Sequence, residues 1–201
     1  GVEVGPIRQY FETEMICWIP PYSNFLDFGC GGARWKDGYW HIPSQVTAVE
    51  VNLKDLVDVD RAYKNIRLIH SLAGIIDLPD ASFDVILSSS GIGYIAPGGA
   101  CVHVQEIRRL LKPGGRAIFS RINAANWSTW LRGGLTETGN GTFAYQYTRR
   151  EFHALLASNG LRAVSSKRLG IYSPFGYRRL QPLYRFAITR YLDKLLNRVP
   201  G

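Results

Sequence analysis

A short, mostly apolar run, Asn24-Phe25-Leu26-Asp27-Phe28, breaks into Gly29-Cys30-Gly31-Gly32, and nothing else in the 201 residues restricts the fold so tightly. A run of this length reads as a buried strand. Glycines just beyond it lack the Cβ atoms that would keep the backbone away from a ligand. Alone the cluster is a weak signal. It gains weight from a second strand-like run, Val46-Thr47-Ala48-Val49-Glu50-Val51, whose Glu50 lies 21 positions after Gly29. In open α/β sheets ligands collect beyond the carboxyl ends of the strands, and an acidic residue ending the second strand can accept hydrogen bonds from the ribose hydroxyls. Together the two features argue for an adenosine-containing ligand. A dinucleotide fingerprint starting at Gly29 would need glycine at position 34, where Arg34 stands, and no phosphate loop is present. Pyrophosphate ligands and the common nucleotide hydrolases are therefore disfavoured.

The rest of the chain alternates in the manner of a doubly wound sheet. Ile7, Tyr10, Phe11, Met15 and Trp18 predict an N-terminal helix over 6–19, ended by Pro20 and Pro21. A helix is expected over Leu53–Tyr63, a third strand over Ile66–His70, and a fourth over Phe83–Ser88 after a Pro79-Asp80 turn. Val102–Leu111 has helical periodicity and stops at Lys112-Pro113-Gly114-Gly115, with a fifth strand over Arg116–Ser120. Thr148 and Glu151 form a capping box for a helix to Ser158, closed by Asn159-Gly160, and Leu161–Ser166 is expected as a sixth strand. The expected architecture is a single α/β domain over 1–201, Rossmann-like, with an open, mostly parallel sheet and helices on both faces.

Composition narrows the classes. Hydrophobic residues at 46% and charged residues at 20% suit a globular protein. No apolar stretch is long enough to span a membrane, so a soluble, cytoplasmic protein is expected. Cys17, Cys30 and Cys101 are widely spaced, and His41, His70, His103 and His153 lack ligand spacing, which argues against a metal site. The net charge of +8 is concentrated: residues 161–201 hold nine basic side chains against Asp193 alone. There, Leu180 to Leu196 follow helical spacing, giving an expected basic amphipathic helix over about 178–197. Docking on its own domain, covering the active site, peripheral membrane contact and homodimer packing are the readings open to it. Nucleic-acid binding has only the charge in its favour, and no DNA partner is expected.

The ordered motifs resemble the class I S-adenosylmethionine-dependent methyltransferases, particularly the small-molecule and glycan-associated type. The resemblance is carried by Leu26-Asp27-Phe28-Gly29-Cys30-Gly31, by Val49-Glu50, by Leu78-Pro79-Asp80-Ala81-Ser82-Phe83-Asp84-Val85-Ile86, and by Glu106 through Gly115. It implies S-adenosylmethionine as cofactor, with Asp27, Gly29, Cys30, Gly31, Glu50, Val51, Leu72 and Ser88 at its site. The Gly29–Gly31 backbone would hold the methionine part, Glu50 the ribose, and Ser71-Leu72-Ala73 would border the adenine. Tyr94 falls where the family often places an aromatic or His facing the substrate, and by residue type and approximate place Tyr94, His103 and His70 are the catalytic candidates for base work on a hydroxyl nucleophile. Ala33 in place of a third glycine, Ser71 or Leu72 in place of the adenine-side Asp, and Trp35–Pro43 in place of a regular first helix depart from the pattern. The family's final strand is also hard to find, with Tyr172–Tyr177 the only short substitute. The expected function is methyl transfer to a small organic acceptor at oxygen or nitrogen. Its rivals are cofactor binding without transfer, and a membrane- or RNA-associated module built on the basic helix.

Overall fold

The first strand, β1 (Asn24–Phe28), is buried on both faces. Phe25 packs into one apolar cluster while Leu26 and Phe28 pack into another. A strand with no solvent face belongs in the middle of a sheet whose faces are both covered. In the computed structural model, which describes residues 15–32, 39–63, 65–72, 74–89, 91–95, 97–120, 135–138 and 142–166, β1 has that place. Nearly all of these residues fall in one compact unit, Phe11–Ala163; Gly1–Tyr10 and Val164–Gly201 group separately.

β2 (Gln45–Glu50) and β3 (Arg67–His70) lie to one side of β1, while β4 (Phe83–Ser89) and β5 (Leu111–Ser120) lie to the other, in the order β3-β2-β1-β4-β5. All four pairings are parallel. Leu56 and Val59 of α1 (Leu53–Ala62) pack on the face holding Phe25, Val46, Val85 and Leu87. Ile107 and Leu110 of α2 (Pro97–Leu110) cover the other face, against Leu26, Val49 and Ile86. The chain starts in the middle, winds outward through β2 and β3, then returns to β4, so a crevice is expected beyond β1 and β4 where the winding reverses.

The connection before β4 is tied to α2 by charge. Glu106, buried on α2, accepts from Ile76 N at 2.8 Å and from Arg109 Nη2 at 2.7 Å and Nε at 2.8 Å. Arg109 also donates to the carbonyls of Leu78 and Ile76 and to Asp80. Two of the motifs noted in the sequence are thereby one physical unit. Close to the start of β5, Lys112 pairs with Asp84, whose carboxyl is held below the ordinary range chiefly by that hydrogen bond.

Most expected elements are present, with five differences, the first being that β5 begins at Leu111 and takes in Lys112-Pro113-Gly114-Gly115 instead of starting at Arg116. α2 starts at Pro97 rather than Val102, because proline suits a first helical position. Leu161–Ser166 is not a strand: Leu161 N donates back to Leu156 O, residues 162–166 are all exposed, and no described strand pairs with them. A hairpin, β6 (Leu135–Thr138) with β7 (Thr142–Tyr145), was not expected. Of the N-terminal helix expected over 6–19, the described residues include a 3-10 turn, Ile16–Trp18. α3 (Arg149–Ser158) has the expected box, with Thr148 N donating to Glu151 Oε2 at 2.7 Å and Glu151 N to Thr148 Oγ1 at 3.2 Å. The helix expected over about 178–197, Tyr172–Tyr177, and Arg34 through Lys36 lie outside the described residues.

Candidate functional site

At the end of β1 the backbone enters the left-handed region at Gly29 (φ 85°) and again at Gly31 (φ 54°), conformations that glycine adopts without a Cβ penalty. The turn folds toward β2: Gly29 N and Cys30 N both donate to Val49 O, at 2.8 and 3.0 Å. Glu50 then gathers three backbone donors. Its Oε2 accepts from Gly31 N at 2.7 Å, and its Oε1 accepts from Val51 N at 2.9 Å and Asn52 N at 3.1 Å. A carboxylate offers about four acceptor positions, so one remains for a ligand hydroxyl without disturbing the turn.

Val51 is held from its other side as well. His70, the register partner of Glu50 in β3, donates from Nε2 to Val51 O at 2.9 Å. The Val51 side chain is nevertheless 57% exposed, and that of Leu72, after β3, is 79% exposed. Leu53 and Ile75 add to the apolar surface exposed just beyond these two strands. Bare apolar side chains next to a carboxylate and a glycine turn fit a nucleoside, whose base is flat and apolar and whose sugar carries hydroxyls. A Cβ added at Gly31 would meet nothing within 4 Å, so the turn itself is open.

Several expected contacts are placed elsewhere. Asp27 is fully buried, and its Oδ2 accepts from Tyr39 Oη at 2.9 Å and Trp40 Nε1 at 3.0 Å. Its carboxylate therefore supports the turn from within and presents no surface to a ligand. Burial, then the charge of Asp27, pushes the Tyr39 hydroxyl far up, which keeps it protonated as a donor. Cys30 is buried and contributes its backbone. Ser88 is fully buried at the end of β4, its Oγ 3.0 Å from His103 Nε2. His103 is buried too, and its pKa is lowered to about 4 by burial, a shift that Glu106 opposes. An enclosed imidazole bonded to Ser88 does not line the cleft, so the expected general-base role gives way to a supporting position.

Tyr94 is 52% exposed at the end of the 3-10 turn Gly91–Tyr94, which follows β4. β7 approaches this turn closely, since a Cβ at Gly93 would lie 3.4 Å from Tyr145 O. Reasoning from sequence missed Tyr39, Trp40 and the Glu106–Arg109 pair as parts of the site's framework. The Glu-x-x-Arg spacing at the end of an apolar helix was the available signal for the latter.

The switch point, the glycine turn and the strand-ending carboxylate mark an α/β domain of Rossmann-like class. Comparison with known proteins narrows it. Residues 26–119 match the family described as methyltransferase domain. A ubiquinone biosynthesis O-methyltransferase from Alkalilimnicola ehrlichii is 27% identical over 130 residues, 60% of this chain and 50% of that protein. The chain thus spans about half the length of that curated relative. An S-adenosylmethionine-dependent methyltransferase from Mesorhizobium loti superposes with TM-score 0.70 at 18% identity, over 96% of this chain and 95% of its own. The 1,6-didemethyltoxoflavin-N1-methyltransferase of Burkholderia thailandensis, solved with S-adenosylhomocysteine, superposes with TM-score 0.63 at 18% identity, over 84% and 85% of the two chains.

Residues 26–119 thus match a methyltransferase domain, and the fold is shared with methyltransferases of known structure. No described helix is long and apolar enough to cross a membrane.

Proposed function

We propose that this domain transfers the methyl group of S-adenosylmethionine to a small organic acceptor, at an oxygen or nitrogen nucleophile. The observation that carries the reading is the combination at one end of the sheet: Glu50 beside an open glycine turn, with exposed Val51 and Leu72 flanking it. The relatives support a small acceptor, one being named as an O-methyltransferase of ubiquinone biosynthesis and another as an N1-methyltransferase of didemethyltoxoflavin.

When bound, the cofactor supplies a sulfonium methyl that is already electrophilic, so alignment and exclusion of water do most of the catalytic task. The chain's residues divide that task. Backbone groups of Gly29–Gly31 receive the amino-acid end, Glu50 accepts from the ribose, and Val51 and Leu72 border the base. Tyr94, on the turn after β4, faces the acceptor and orients its nucleophile through the phenol.

Calorimetry with S-adenosylhomocysteine tests the site: micromolar binding that Glu50→Ala weakens about 100-fold is expected, and no binding by the wild-type protein would sink the proposal. Incubating methyl-labelled cofactor with fractionated small-molecule extract tests transfer. Label retained only in the cofactor would leave a binding protein in place of an enzyme.

A further inference from the structure

α2 buries Ala100, His103, Val104, Ile107 and Leu110 at three- and four-residue spacing, so His103 occupies a place in an apolar stripe. Its Nε2 lies 3.0 Å from Ser88 Oγ, its ring tilts against Phe28 with centroids 4.3 Å apart, and its Nδ1 has no hydrogen-bond partner among the described residues. Burying a ring with an orphan nitrogen works against folding, and packing alone would be served better by leucine. The retained imidazole therefore calls for another reason.

The proton position follows from the same contacts. Orphaned buried N–H groups are rarer than under-satisfied acceptors, so the less costly tautomer leaves Nδ1 bare and carries the proton on Nε2. His103 Nε2–H then donates to Ser88 Oγ. A Cβ on Gly91 would lie 3.5 Å from Ser88 Oγ and 3.5 Å from Phe28 O, and a Cβ on Gly29 would lie 3.7 Å from Gly91 Cα. The first residue of the turn after β4 thus rests on the two residues that His103 touches.

We propose that His103 is a positioning residue which, by donating to Ser88 and packing on Phe28, fixes the Gly91–Tyr94 turn against the glycine turn and so sets the gap between cofactor and acceptor walls. The effect on the turn stands on geometry alone; its consequence for turnover rests on the methyl-transfer reading. Burial keeps the ring neutral down to about pH 4. The charged group facing it is Glu106, one helical turn further along α2 and itself engaged by Arg109 and Ile76 N.

The experiment compares the full-length wild type with His103→Leu, His103→Gln, Ser88→Ala and the His103→Leu/Ser88→Ala double variant. It reads amide hydrogen exchange over Gly91–Ile95 in the free protein, thermal unfolding, and S-adenosylhomocysteine affinity. His103→Leu is expected to keep or raise the Tm while the turn amides exchange about tenfold faster and affinity falls about tenfold. Ser88→Ala should do the same and the double variant no more, because both remove one hydrogen bond. His103→Gln, which keeps a donor near the place of Nε2, should recover most of the loss. Unchanged exchange in His103→Leu overturns the proposal whatever the binding data, as does a Tm loss shared equally by the leucine and glutamine variants. Faster exchange in a protein that binds no S-adenosylhomocysteine upholds the positioning role and removes only the methyl-transfer reading.

Discussion

The two walls of the cleft are built by different means. The wall formed by Gly29–Gly31 and Glu50 is held almost wholly by backbone groups meeting one carboxylate across adjacent strands. The wall formed by β4 and the Gly91–Tyr94 turn depends on side chains from α2, namely His103 on Ser88 and the Glu106–Arg109 pair on the segment before β4. The ligand side of the first wall is main chain and one acid, with Asp27 held by Tyr39 and Trp40 beneath it, and a substitution at Glu50 should act on ligand affinity. The other wall shares its Glu106–Arg109 support with the core, so removing that pair should act on folding as well.

The largest effect that would break this contrast is on stability. Arg109→Ala leaves the buried Glu106 carboxylate without its cation, which is expected to cost about 3 to 5 kcal/mol of unfolding free energy in urea titration. A loss under about 1 kcal/mol would mean that the second wall does not depend on this pair.

Next comes pH. His103 has a depressed folded pKa, so the unfolded chain binds the proton more readily, and stability falls as pH drops from about 6.5 toward about 4. The full drop from this one group is up to about 3 kcal/mol. His103→Leu should flatten the curve in that window while leaving the steeper loss at lower pH, where Asp84 and Glu106, both with lowered pKa values, take up protons.

On the backbone wall, Glu50→Ala should weaken S-adenosylhomocysteine binding about 100-fold, from lost charge-assisted hydrogen bonds. Its Tm should fall far less than that of Arg109→Ala. A comparable fall would erase the distinction between the walls. Tyr94→Phe is the finest test: turnover is expected to drop about tenfold with cofactor affinity unchanged, and a change in affinity instead would move Tyr94 to the cofactor side.

How much of this was legible beforehand follows the same division. β1, the glycine turn, β2 and Glu50 could be read because their contacts are between residues whose spacing is set by a strand, a turn and a crossover. The capping box at Thr148 and Glu151 was legible for the same local reason. The Ser88–His103 bond joins residues 15 apart and Arg109 reaches Ile76 across 33, so periodicity marked His103 and Arg109 only as members of a helix. Asp27 misled because its motif position suggested a ligand contact, whereas alternation along β1 places it with Phe25, where Tyr39 and Trp40 reach it. The β6–β7 hairpin had a signal, Asn140-Gly141 between Thr-rich runs, which favours a tight turn. Leu161–Ser166 has one strong β former, Val164, and lacks a paired neighbour among the described residues.

The peptide of Val51 is fastened at both ends, its N–H to Glu50 and its C=O to His70, while its side chain stands bare to solvent. The platform is therefore rigid before any guest arrives. Little conformational entropy is left to surrender at that spot on association, so tightness there should be governed by how quickly the guest departs rather than by how slowly the seat forms.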